Sequence, residues 1–166
     1  MKKTTPFHRT VLGLTVLVWS SWLLLNPVHA EDSPREDSPR FVRPEQATTY
    51  IEPQSKSQIT VLIDERLGGT KDVSIADLVI PPGVDIPDHV HQSTEIFYIL
   101  SGELEQTSEG KVQKLTAGMA CVVPANTTTH HKVTSKEPVH ALVIWAPGGE
   151  EKRITERWQV KQPAKK

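Results

Sequence analysis

The sequence predicts an all-β fold, a sandwich or barrel, on three observations. Short β-branched runs follow one another closely from Ile59 onward. Glycine and proline turns separate them, and one pair of runs flanks a polar turn as a hairpin would. Short strands at close, regular spacing with Gly/Pro turns are the pattern of β-sandwiches and barrels.

The elements in order begin with a leader. Lys2, Lys3 and Arg9 precede an uncharged stretch from Thr10 to Asn26, followed by Pro27 and Val28-His29-Ala30. This is the order of a signal peptide: basic, apolar, then a small-residue cleavage site, here after Ala30. The uncharged stretch, interrupted by Ser20-Ser21, falls short of the roughly 20 apolar residues a spanning helix needs. The expectation is a periplasmic or secreted protein with no membrane span once residues 1–30 are removed. His8 and His29 fall in this leader and are set aside.

Residues 31–56 read as a linker. EDSPR occurs twice in Glu31–Arg40, and such a Pro-, Ser- and charge-rich segment builds no core. Tyr50-Ile51 is a candidate first edge strand. The barrel is expected over 57–147, with strands at Ile59–Ile63, Val73–Ile80, Glu95–Leu100, Glu103–Thr107, Val112–Leu115, Met119–Val123, His131–Thr134 and Val139–Trp145. Glu103–Thr107 and Val112–Leu115 flank Glu109-Gly110 and form the hairpin. Residues 148–166 are an extension, in which 150–160 read as either a short helix or a closing strand.

Composition excludes some functions. The chain carries 19 Lys+Arg against 20 Asp+Glu. Without Lys2, Lys3 and Arg9 the balance is 16 basic to 20 acidic residues, a net of −4. That is a poor match for nucleic acid, which selects clustered Lys and Arg. Cys121 is the one cysteine, so no intramolecular disulfide forms, and a thiol in an apolar run is expected to be buried.

The chemistry concentrates in Gly83–Gly102. His89, His91 and Glu95 share parity, so an extended chain turns all three to one side, with a bend at Gln92-Ser93 adjusting the gap. Phe97 and Ile99 continue that face as apolar cover. Gly83, His89, His91, Glu95 and Gly102 match each fixed position of the first motif of the cupin superfamily, and this stretch resembles that family. In the second motif Gly118 and Pro124 match. Asn126 stands where glycine is usual, a substitution Asn tolerates because it adopts positive φ more readily than most residues. The motif histidine is displaced: Thr129 occupies its place and His130 and His131 follow. Adjacent residues on a strand face opposite ways, so one of the two turns inward. Val133 shares the parity of His131, which favours His131, with His130 the alternative.

The resemblance, strongest to small single-domain, quercetin-dioxygenase-like cupins, implies a jelly-roll, double-stranded β-helix barrel. It implies one metal ion held by His89, His91, Glu95 and His131. Such ligands suit a divalent first-row ion such as Fe, Mn, Ni, Cu or Zn. The functions implied are an oxygenase acting on a small organic molecule, with Glu95 as ligand and base, or a non-catalytic binder or sensor of a metal or small ligand. A third reading makes the metal purely structural. A homodimer is also implied, and outward Ile96, Tyr98 and Leu100 agree with it. His140 reads as a surface histidine near a strand end rather than a pocket acid or base. Phe97 and Trp145 read as core before pocket lining.

Overall fold

The computed structural model describes residues 39–162. The expected leader, its cleavage site and the first part of the linker lie outside the described residues.

Eleven strands run in chain order: β1 Thr48–Ile51, β2 Gln58–Ile63, β3 Ser74–Ile80, β4 Asp85–Val90, β5 Thr94–Ser101, β6 Glu103–Ser108, β7 Lys111–Thr116, β8 Ala120–Val123, β9 Thr128–Val133, β10 Val139–Ala146 and β11 Gln159–Val160. Among the described residues, two short α-helices, α1 Glu65–Gly68 and α2 Glu150–Thr155, interrupt them, and a 3-10 turn at Pro44–Gln46 precedes β1. The strands form a seven-stranded sheet, β11-β1-β2-β3-β10-β5-β8, and a four-stranded sheet, β4-β9-β6-β7. All pairings are antiparallel. This is the all-β jelly roll expected.

Alternation along the strands makes the core. Val139, Ala141, Val143 and Trp145 of β10 are buried, and in register Ala141 faces Ile99, Val143 faces Phe97 and Trp145 faces Glu95 of β5. Ile59 and Ala76 on the same sheet, and Leu104, Leu115 and Val133 on the other, complete the cluster between the two layers. Burying this apolar surface is the main stabilising term, at about 25 cal/mol per Å².

The expected hairpin is present as β6–β7, with Leu104 opposite Leu115. Tyr50-Ile51 belong to a strand that is paired on both sides, because Gln159 and Val160 close on it as the true edge. Residues 150–160 contain both of the structures proposed for them, helix α2 and then strand β11. Asp85–Val90 is a strand although its Pro and Asp content hides it. Its burial pattern is mostly exposed, and a bulge between Ile86 and His89 absorbs Pro87. Cys121 is half-buried against the core rather than fully buried.

Candidate metal centre

His89 lies on β4 and His131 on β9, neighbouring strands of the smaller sheet. The chain then leaves that sheet. His91 sits in the bend of residues 91–93, and Glu95 is already on β5 of the larger sheet. The shared parity of 89, 91 and 95 therefore does not place them on one strand face. The bend at Gln92-Ser93 folds the segment so that the histidines and the carboxylate meet across the interior. Asn126 N–H donates to the His91 carbonyl at 2.8 Å, fastening this bend to the turn after β8. Asn126 takes φ +61°, as expected where glycine is usual.

On β9, Thr129, His131 and Val133 are buried, whereas Lys132 is exposed and His130 partly so. Thr129 and His131 share a face because they are two residues apart. The displacement of the histidine by two positions thus preserves its inward direction. His131 is the inward histidine. His130 points outward to Asp85 (Nε2–Oδ1 2.7 Å) and Asp88 (Nδ1–Oδ1 3.2 Å).

One ring nitrogen from each of His89, His91 and His131 lies within 4.8 Å of the other two. The His89 ring is 4.9 Å from both the His91 and His131 rings, edge to face. Glu95 adjoins this triad without joining that mutual cluster. Its Oε1 is 3.3 Å from His91 Nε2 and its Oε2 is 3.8 Å from His131 Nε2. Trp145, directly opposite in register, donates its indole N–H to Glu95 Oε1 at 3.0 Å. Trp145 is thus core, as read, and also a member of the site, which the sequence alone does not reveal. Phe97 covers His131 edge to face at 5.0 Å.

These groups fit a metal ion. Both ring nitrogens of His91 and of His131, and Oε2 of Glu95, are buried without a hydrogen-bond partner. Buried polar atoms left unpaired cost free energy, and an ion held among the three rings would satisfy one nitrogen of each. Burial, reinforced by the neighbouring histidines, pushes His131 down to about 3 and His91 below its ordinary value. Both rings are then neutral at physiological pH, the form that ligates metal. His89 Nδ1 stands 2.8 Å from the Pro87 carbonyl. Donation of its N–H to that oxygen leaves Nε2 as the lone-pair donor. Burial raises Glu95 to about 8, against the lowering effect of the Trp145 hydrogen bond.

A cavity of about 290 Å³ opens on the seam where the sheets end at β8 and β7, bounded by Gln106, Ser108, Lys111, Cys121 and Thr127 among others. None of His89, His91, Glu95 or His131 lines it, but two of its lining residues are register partners of residues at the centre: Gln106 is opposite His131, and Cys121 is opposite Phe97. Gln106 is buried, gives its amide to Ser108 and Thr129, and leaves its carbonyl oxygen unpaired. His140 lies on the outer sheet face, partly exposed, with Nε2 2.8 Å from Asp77 Oδ2. The surface reading holds, and Asp77 is its partner.

Residues 76–145 match the model of the cupin domain family. The fold is similar to KdgF from Halomonas sp., at 18% identity and TM-score 0.57, covering 68% of this chain and 98% of that one. An RmlC-like cupin from Shewanella frigidimarina is similar at 18% identity and TM-score 0.56, covering 69% and 96%. A predicted oxalate decarboxylase from Thermotoga maritima aligns at 23% identity and TM-score 0.54, covering 64% and 98%. At these identities the likeness is one of fold. No curated protein matches the chain.

Proposed function

We propose, from the premise that this chain belongs to the cupin superfamily, that it is an exported metal-dependent enzyme of oxygenase type acting on a small organic molecule. The observation that carries the reading is the convergence of one ring nitrogen from each of His89, His91 and His131, with the rings of His91 and His131 buried and without a hydrogen-bond partner. A divalent first-row ion (Fe, Mn, Ni, Cu or Zn) held by these residues would supply Lewis acidity to a bound molecule. Glu95 is proposed as fourth ligand and as base. Its two oxygens differ: Trp145 holds Oε1, while Oε2 faces His131 unpaired. Oε2 is therefore the atom to hold or accept a proton from a bound molecule, and Phe97 keeps water from the His131 side. The seam cavity, large enough for a small organic molecule, supports a substrate that contacts Gln106.

Export rests on the leader, with maturation after Ala30 and release to the periplasm or exterior. Pairing of two copies through the outer face of the larger sheet is supported by exposed Tyr98, Leu100 and Val122, the last 60% exposed.

The experiment is metal analysis of protein taken from its native compartment, followed by oxygen-uptake assays with each metal on phenolic, acidic and sugar substrates. Turnover that depends on metal and is lost in H131A is the expected result. A tight ligand recovered unaltered after long incubation with metal, with no oxygen consumed, would establish the binding protein instead.

A further inference from the structure

The match to the cupin domain ends at residue 145, yet a carboxylate beyond it reaches the centre. Glu150, at the start of α2, is 5% exposed. Its Oε1 lies 3.2 Å from His91 Nδ1. Its Oε2 accepts the Gln92 N–H at 3.1 Å. Arg153, one turn along the same helix, donates to Glu150 Oε1 and also to the Val90 carbonyl, the latter at 3.2 Å. Side chains of α2 therefore touch Val90, His91 and Gln92 in succession. Ile154 and Trp158, packed against the core, hold this segment down.

A buried carboxylate is costly unless its oxygens are satisfied. Arg153 and the Gln92 N–H satisfy part of the need, and the edge of His91 bearing Nδ1 is what remains. An imidazole that presents Nδ1–H to a carboxylate has its lone pair on Nε2. In His91 that nitrogen is the one on the Glu95 side, 3.3 Å from Oε1. His89 reaches the same state with the Pro87 carbonyl as acceptor. A carboxylate in this place also makes the ring a stronger donor than a carbonyl does.

We infer that Glu150 is a positioning residue for the metal centre: it sets the tautomer and ring orientation of His91 from the C-terminal helix, with Arg153 holding it in place. The inference rests on reading His89, His91 and His131 as metal ligands.

The test titrates the mature protein with Co(II) and Zn(II) against a competing chelator, comparing wild type with E150A, E150Q and E150D. An E156A variant serves as a control on an exposed position near the end of the same helix. E150A is expected to weaken metal binding by roughly 10–100-fold, with E150D recovering part of the loss and E156A binding as wild type. Side-chain ¹⁵N chemical shifts give a readout that altered stability does not imitate. In metal-free wild type His91 is expected as the Nδ1–H tautomer, and in E150A that preference is lost. Equal affinity in wild type and E150A overturns the inference, as does an Nε2–H tautomer for His91 in the wild type, a measurement that needs no variant to fold. Failure of wild type to bind any metal is a separate result, and it removes the metal reading itself.

Discussion

At the scale of single residues, the adjacent pair His130 and His131 shows how orientation divides roles. H131A is expected to abolish metal binding, because it removes an inward donor that no neighbour on β9 replaces. H130A is expected to leave metal affinity within about twofold and to cost no more than about 1 kcal/mol of stability, the usual worth of partly exposed ion pairs. Calorimetric titration and denaturant unfolding of both variants check this, and strong metal loss in H130A with none in H131A would reverse the assignment. Glu95 supplies a pH signature. In metal-free protein its proton is kept up to about 8, whereas the unfolded chain releases it near 4.5. Across that window the folded state binds more protons than the unfolded state, so Glu95 takes stability away as pH rises. E95Q has no such titration and still offers Trp145 an acceptor. Chelator-treated wild type is expected to lose stability relative to E95Q between pH 5 and pH 8.5. A constant difference between the two melting curves across that range would count against the buried, protonated carboxyl.

At the scale of elements, strands were legible wherever β-branched residues alternate, as in Val139–Ala146, since burial on alternate sides leaves its mark on neighbouring positions. Asp85–Val90 was not legible as a strand, because Pro87, Asp85 and Asp88 are poor strand formers and the strand is mostly exposed. Turns carry their own constraint. Gly102 sits between β5 and β6 at φ +80°, and a Cβ there would stand 2.5 Å from the Pro138 carbonyl oxygen and 2.8 Å from Val139 Cα. G102A meets both backbone strain and a clash with backbone that cannot step aside. It is expected to cost about 1–3 kcal/mol or more in urea unfolding. An unchanged midpoint would show that the turn relaxes freely.

At the scale of the whole molecule, a metal that binds the folded state alone stabilises it by mass action. Free metal at a hundred times its dissociation constant is worth about 2.7 kcal/mol. Chelation is therefore expected to lower the melting temperature of wild type and to leave that of H131A unchanged, by differential scanning calorimetry. If two copies pair through the larger sheet, the double variant Y98K/V122K is expected to sediment as a monomer at a concentration where wild type is a dimer, with metal content unaltered. Equal sedimentation of the two proteins would place any interface elsewhere.

The all-β class, most strand positions and the choice of His131 over His130 on parity follow from the order of residues. Each depends on alternation or spacing between near neighbours, which a linear chain displays directly. The tertiary structure alone decided that Glu95 faces the histidines from the opposite sheet. It also decided that Trp145 donates to Glu95 from 50 residues away and that Glu150 meets the His91 bend from 58 residues beyond Gln92. Those meetings depend on which strands pair and in what register. That choice is made by the packing of two whole sheets, and no local pattern encodes it.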